Sequence, residues 1–151
     1  MKFAFISPRY GAEFSGGAVH ACRLLAEQLA RRHDVEVLTT TARNSETWKN
    51  EYSEGSDRVR GVLVRRFAVN TMPERSVFGD LSRRLREGPR CRADELTWLR
   101  HVGPWSSGLL EHIKRQHRSY DALVFFGMWQ SLTVSGLEVA PERSLLFPHL
   151  Q

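Results

Sequence analysis

Five short apolar runs, separated by segments of helical periodicity, constrain the fold of this chain more than any other feature of its sequence. The runs occupy residues 3–6, 35–38, 62–69, 122–126 and 144–147. Short, mainly apolar runs of this kind are typical of strands that are buried on both faces of a parallel sheet. Because neighbouring parallel strands need a crossover, usually a helix, this alternation predicts an α/β domain.

The segment between the first two runs has the pattern of an amphipathic helix that packs on the sheet. Ala18, Cys22, Leu25 and Leu29 recur at helical spacing, so Cys22 is interpreted as a small core residue. The crossover should be right-handed, which makes the first two strands parallel. Extended along the chain, the pattern predicts a Rossmann-like sheet of five parallel strands in the order 3-2-1-4-5, with helices on both faces.

The remaining segments support coarser predictions. Residues 39–61 are polar and predict a loop, whereas residues 73–102 predict two short helices. A further helix is expected to open at Pro104, because proline suits the first position of a helix. A short helix is predicted over residues 131–135, before the fifth strand.

Composition is that of a folded protein and excludes several classes. Apolar residues make up 41% and charged residues 26%, which is ordinary for a globular chain. No apolar run approaches the roughly 20 residues of a membrane span, and the first run is too short for a signal peptide. The two cysteines, Cys22 and Cys91, suggest neither a disulfide framework nor a zinc site. We therefore expect a cytoplasmic protein.

The most informative candidate site is the diglycine that follows the first strand. Gly16 and Gly17 lie where the first helix begins, so their peptide N–H groups could bind an anion at the positive end of the helix dipole. The alternative is that they only permit a tight turn. The dinucleotide pattern Gly-x-Gly-x-x-Gly and the phosphate-loop Gly-Lys-Ser/Thr pattern are absent, which argues against a nicotinamide dehydrogenase and a P-loop ATPase.

Further candidate binding residues follow the first, fourth and fifth strands, because ligands of open parallel sheets bind beyond the carboxyl ends of the strands. The candidate segments are residues 7–17, 127–130 and 149–151, and the residues singled out in or beside them are Arg9, Tyr10, His20, Gly127, Trp129 and His149. His20 either points into the cleft or is a surface imidazole. Trp48 and Trp129 either offer a platform for a sugar ring or are packing residues. No His/Asp/Glu cluster has metal spacing, and no Gly-x-Ser-x-Gly elbow occurs.

A known family has similar residues around the diglycine. The chain resembles the amino-terminal domain of family-4 retaining glycosyltransferases, which have the GT-B fold, at Gly16-Gly17-Ala18 and at residues 24–30 and 33–40. One branch of that family is also similar at residues 61–67, 103–106, 120–125 and 144–148, so the resemblance spans nearly the whole chain. Two positions depart from the family. Val19 stands where a glutamate is common, and Arg32 replaces a glycine, but neither change alters the anion-binding amides.

The resemblance implies a two-domain enzyme in which residues 1–151 form the amino-terminal, acceptor-side domain. Gly16 and Gly17 would face the diphosphate of a nucleotide-sugar donor, and no metal or other cofactor would be required. The acceptor, a glycan, a lipid-linked molecule or a small molecule, would lie on the side of the other candidate residues. The carboxy-terminal donor-binding domain, with its paired glutamates, is absent from this chain, so we expect the chain alone to be inactive and assign no catalytic residue.

The end of the chain carries a related expectation. The sequence stops directly after the fifth predicted strand, without a covering helix, and we expect an apolar patch there against which the second domain docks. An alternative function remains: a non-catalytic nucleotide- or phosphate-binding module of flavodoxin-like topology. It accounts equally well for the diglycine, but not for the later segments that resemble the family.

Charge points to an anionic partner without identifying it. The net charge is +5, and much of the arginine excess lies between residues 58 and 100. Nucleic acid is disfavoured, because aromatic interleaving and a helix-turn-helix signal are absent. Residues 75–100 either form a basic amphipathic surface for peripheral contact with anionic lipid or pack on the sheet with their arginines in water. The second interpretation is favoured, because Gly88-Pro89 interrupts the apolar stripe.

Overall fold

The computed structural model describes residues 1–71 and 74–149 and contains one six-stranded sheet. Its strands are β1 (Lys2–Ile6), β2 (Asp34–Thr40), β3 (Gly55–Val59), β4 (Val62–Phe67), β5 (Ala122–Phe126) and β6 (Ser144–Phe147). They lie in the order β3-β4-β2-β1-β5-β6, and every neighbouring pair is parallel except β3 with β4. The predicted α/β, Rossmann-like fold is confirmed, but the strand order differs from the expected one by the additional edge strand β3.

Strand β3 corrects the expectation that residues 39–61 form only a loop. Strand β3 lies at the edge of the sheet, and four of its five residues are exposed. It therefore has no apolar run by which a sequence pattern could reveal it. It pairs with β4 through a two-residue turn at Arg60 and Gly61, whose φ angles are 49° and 85°. Two consecutive positive φ values are typical of the type I′ hairpin turn, and Arg-Gly is not one of its usual dipeptides.

The position of β4 also bears on the alternative function. In flavodoxin-like topology, the third parallel strand lies beside the first. Here β4, the third parallel strand along the chain, pairs with β2, while β5 pairs with β1. This arrangement is the strand order of the Rossmann fold. The prediction of flavodoxin-like topology, which accompanied the alternative of a non-catalytic binding module, is therefore wrong.

Five helices complete the described part of the chain. They are α1 (Gly17–Leu29), α2 (Arg75–Glu87), α3 (Arg92–His101), α4 (Ser107–Gln116) and α5 (Ser131–Leu137), with short 3-10 turns at His117–Ser119 and Pro141–Arg143. None of these helices has the length and apolar character that crossing a bilayer requires.

Helix α4 begins at Ser107, so the expectation that Pro104 opens it is wrong. Thr71 and Trp105 form a bridge, and the Asn70 N–H donates to the Trp105 carbonyl at 2.8 Å, which holds this segment outside the helix. The helix is capped instead by Ser106, whose hydroxyl accepts from the Leu109 N–H at 3.4 Å. A tertiary contact thus overrides the local preference of proline for a first helical position.

The core lies on both faces of the sheet, as predicted. On one face, α1 packs Ala18, Cys22 and Ala26 against the strands, and Cys22 is fully buried, which raises the pKa of its thiol. On the other face, α4 and α5 cover strand residues with Leu109, Ile113 and Leu132. The helices therefore leave the carboxyl ends of β1 and β5 accessible between them.

One polar cluster interrupts the apolar core beneath α4. Glu36 on β2 is 2% exposed, and its carboxylate accepts hydrogen bonds from Arg65 Nε and, at 2.8 Å, from the Tyr120 hydroxyl. The Tyr120 oxygen also lies 3.2 Å from His112 Nε2. Because both carboxylate oxygens are paired, this buried charge is satisfied within the protein.

Helices α2 and α3 form a hairpin, which we call the basic hairpin, in which the two helices pack mainly on each other. Phe78 stacks on Trp98 with ring centroids 5.5 Å apart, and Arg84 pairs with Asp94 at 2.9 Å. Leu81 is the buried residue of α2, and α3 has none. The two predicted helices are confirmed, although Pro73, at the start of the predicted segment, lies outside the described residues. Their packing against each other differs from the expected packing on the sheet.

Candidate functional site

A cleft opens at the carboxyl edge of the sheet, where the strand order reverses between β1 and β5. Open α/β sheets bind their ligands at this topological switch point. The cleft contains a cavity of about 280 Å3. The residues that line it come from the ends of β1, β2, β5 and β6 and from the start of α1: Pro8, Arg9, Ala18, Val19, Ser45, Trp48, Phe126, Gly127, Met128, Trp129, Gln130 and His149.

The diglycine lies beside this cavity at the amino terminus of α1. Gly16 is the N-cap with extended backbone (φ −155°), and Gly17, the first helical residue, has a φ of 65° that favours glycine. No side chain caps the helix, and a Cβ built on Gly16 would meet no atom within 4 Å. The N–H groups of the first turn, from Gly17 to Val19, have no intrahelical acceptor, an arrangement that suits an anion.

Arg9 supplies a positive charge to the same cleft. Its guanidinium donates to the Arg43 carbonyl at 3.0 Å and lies 4.8 Å from the ring centre of Phe14. Burial lowers the pKa of Arg9, but an arginine remains cationic at neutral pH. Glu13 pairs with Arg43 at 3.4 Å, and within residues 1–71 and 74–149 Arg9 forms no ion pair. An anion in the cleft would therefore meet an uncompensated cation.

The turn after β5 presents an aromatic surface to the cleft. Gly127 has a φ of 93°, which permits the sharp turn, and its N–H donates to the Phe147 carbonyl at 3.3 Å. Trp129 follows and is 63% exposed, so its ring is available to a ligand. Trp48, by contrast, is 7% exposed and packs with Ala42 and Val69, which makes it mainly a packing residue at the cavity wall.

Of the predicted candidates, Arg9, Gly127, Trp129 and His149 line one cavity, with the diglycine beside it. His149 is half-buried at the cavity wall beyond β6. The candidate segment after β6 was expected to extend through Leu150 and Gln151, which lie outside the described residues.

Two predicted cleft residues lie elsewhere. Tyr10 is fully buried between α1 and the sheet, in the cluster that contains Cys22 and Phe126, and burial raises the pKa of its hydroxyl. It turns inward because a large aromatic ring after β1 stabilises the domain more by filling the core than by contact with water. His20 is not part of the cavity wall, and its Nδ1 lies 3.2 Å from Arg23 Nη2.

Sequence reasoning placed Met128 and Gln130 in the candidate segment after the fourth predicted strand, but it missed Ser45 of the cavity wall. Ser45 belongs to the loop after β2, whose carboxyl end reaches the same edge as those of β1 and β5. Residues that follow the second predicted strand were expected to form a loop. Because ligands of open parallel sheets bind beyond the carboxyl ends of the strands, the position of this loop is the signal that could have identified Ser45.

The chain matches no model of a known protein family, and no curated protein or solved structure matches it at a significant level. Within residues 1–71 and 74–149, no group of three or more His, Cys, Asp or Glu side chains is arranged to hold a metal ion. The described residues in and beside the cleft offer uncapped amides, one arginine, an exposed aromatic ring and a histidine.

Proposed function

We propose that this chain is the acceptor-side, amino-terminal domain of a retaining glycosyltransferase that uses a nucleotide-sugar donor. The observation that carries the proposal is the diglycine beside the switch-point cavity, with uncapped amides at the start of α1. The resemblance of residues 16–40 to family-4 glycosyltransferases supports it, because the same diglycine carries that resemblance.

The cleft residues have distinct roles in this proposal. The amides of Gly17 and Ala18 donate hydrogen bonds to the donor diphosphate and stabilise the charge that develops on the leaving group. Arg9, which also lines the cavity, adds a positive charge. Trp129 offers its exposed ring to the apolar face of a sugar or to the acceptor, a glycan, a lipid-linked molecule or a small molecule. The described residues of the cavity wall include no carboxylate. No general base is assigned.

A second, carboxy-terminal domain completes the enzyme in this proposal. The outer strand β6 supports a docking surface, because Leu145, Leu146 and Phe147 are 60%, 41% and 41% exposed. Exposed apolar side chains in a row are typical of a surface that another domain covers. The chain alone would bind donor phosphate weakly and would not transfer sugar. A cytoplasmic location fits the exposed free thiol of Cys91.

The test is an activity screen of the full-length protein against a panel of nucleotide sugars, with release of nucleoside diphosphate as the readout. Release that depends on an added acceptor is expected from the full-length protein and not from residues 1–151 alone. A parallel titration of residues 1–151 with nucleoside diphosphates should give only weak binding. Tight binding by this chain, together with an inactive full-length protein, would instead identify a non-catalytic nucleotide-binding module.

A further inference from the structure

A second cavity, of about 450 Å3, lies between the two helices of the basic hairpin. It is within the size range of small-molecule sites. Leu85 from α2 and Trp98 and Leu99 from α3 form an apolar wall, and Arg86, Arg90 and Arg92 stand around it. We call this cavity the hairpin groove.

The apolar wall of the hairpin groove is held in place by specific contacts. The indole N–H of Trp98 donates to the Ser82 hydroxyl at 2.7 Å, and the Trp98 ring stacks on Phe78. The ion pair between Arg84 and Asp94 joins the same two helices. A ligand would therefore meet a largely preformed surface, which lowers the entropy cost of binding.

The charges around the groove are not balanced. Arg92 pairs with Glu95 at 3.4 Å, whereas Arg86 and Arg90 form no ion pair with any residue in the described ranges 1–71 and 74–149. The groove thus presents two uncompensated guanidinium groups beside an apolar wall. A neutral apolar ligand would leave these cations unused, and a free phosphate ion would leave the wall unused.

We propose that the hairpin groove binds a single-chain anionic amphiphile, with its chain on Leu85, Trp98 and Leu99 and its phosphate or carboxylate on Arg86 and Arg90. Guanidinium groups bind such heads through charge-assisted, often bidentate, hydrogen bonds. This site is separate from the proposed glycosyltransferase activity and does not depend on it.

A monomeric amphiphile fits the hairpin better than a bilayer surface does. The described residues of the hairpin expose only two large apolar side chains, Phe78 (36%) and Leu96 (44%), one on each helix. A helix that lies in a membrane interface presents a continuous apolar face to it. Here Leu85, Trp98 and Leu99 line the groove between the helices instead.

The test is calorimetric titration of residues 1–151 with dodecyl phosphate below its critical micelle concentration. Inorganic phosphate, dodecanol and vesicles of phosphatidylcholine with phosphatidylglycerol are titrated in parallel. Dodecyl phosphate should bind roughly tenfold or more tightly than either phosphate or dodecanol, because only it uses both the arginines and the apolar wall. The Trp98 indole N–H resonance should shift on binding, with Trp98→Phe identifying that signal.

The variant Arg86→Ala/Arg90→Ala should lose roughly tenfold in affinity for dodecyl phosphate, while its melting temperature stays unchanged because both side chains are exposed and unpaired. The matched control, Arg31→Ala/Arg32→Ala, removes the same charge from exposed positions after α1 and should bind normally. Equal binding by the two double variants, equal binding of phosphate and dodecyl phosphate, or binding to vesicles alone would each overturn the proposal.

Discussion

Replacing Gly16 by aspartate should change the stability of the domain and its affinity for anions in opposite directions. Gly16 is the N-cap of α1, has an extended φ that any residue adopts, and has open space where a side chain would extend. An aspartate carboxylate at that position accepts hydrogen bonds from the uncapped amides and interacts favourably with the helix dipole. It also occupies the place proposed for the donor diphosphate.

The two effects have different magnitudes. Capping contributes a few tenths of a kcal/mol over glycine and the dipole about 0.3–1 kcal/mol, so the free energy of unfolding should rise by about 1 kcal/mol. For a domain of this size, that corresponds to a melting temperature higher by about 2–4 °C. A carboxylate about 4 Å from a phosphate charge costs between about 1 and 4 kcal/mol, depending on solvent screening, so anion affinity should fall roughly fivefold or more.

The control for this prediction is Gly16→Asn, which has nearly the same shape and caps the helix without a charge. Thermal unfolding of residues 1–151 measures the stability of both variants. Pyrophosphate titration, followed through the amide resonances of Gly17 and Ala18, measures anion binding. If Asp and Asn variants bind pyrophosphate equally well, or if pyrophosphate leaves these amide signals unmoved, the diglycine is not a phosphate site.

Three further predictions concern other parts of the molecule. Tyr120→Phe removes a hydrogen bond to the buried Glu36 carboxylate and should lower the free energy of unfolding by about 2 kcal/mol in urea titrations; a loss below about 0.5 kcal/mol would contradict the described pairing. Burial first, and then the charges of Arg65 and other cations, lower the pKa of His112 in the folded protein, so the unfolded chain binds more protons below about pH 6.5. Stability should therefore fall between pH 7.5 and 5.5, and His112→Gln should reduce that fall; an equal fall in the variant would refute the assignment. Leu145→Lys on the exposed strand β6 should reduce self-association of residues 1–151 in light scattering, and an unchanged mass would argue against an apolar docking surface there.

The sequence was sufficient for the parts of the fold that depend on local pattern. The five apolar runs became parallel strands because burial on both faces selects such runs wherever the strand is central. Strand β3 could not be found in this way, since its residues lie at an edge and face water. The start of α4 depended on the bridge between Thr71 and Trp105, a contact between residues far apart in sequence.

For the candidate site as well, the sequence predicted the residues whose positions follow from topology and failed where tertiary packing decides. Arg9, Gly127, Trp129 and His149 were predicted from their positions after strands, and topology alone brings such positions to one edge. Whether a loop side chain turns into the cleft or into the core depends on the shape of the space beneath it. Tyr10 fills a space beside Cys22 and Phe126, which no pattern in the loop itself indicates.

The bridge at the base of the basic hairpin also has an evolutionary consequence. Thr71 and Trp105 face each other as paired residues, with the Trp105 N–H donating to the Thr71 carbonyl at 3.3 Å. Chain ends this close can be joined by a tight turn, so the segment between them could be shortened, exchanged or enlarged without breaking any ladder bond of the main sheet. Descendants of such a protein could therefore replace the hairpin, and whatever it binds, while keeping the cleft at the carboxyl edge of the sheet as they inherited it.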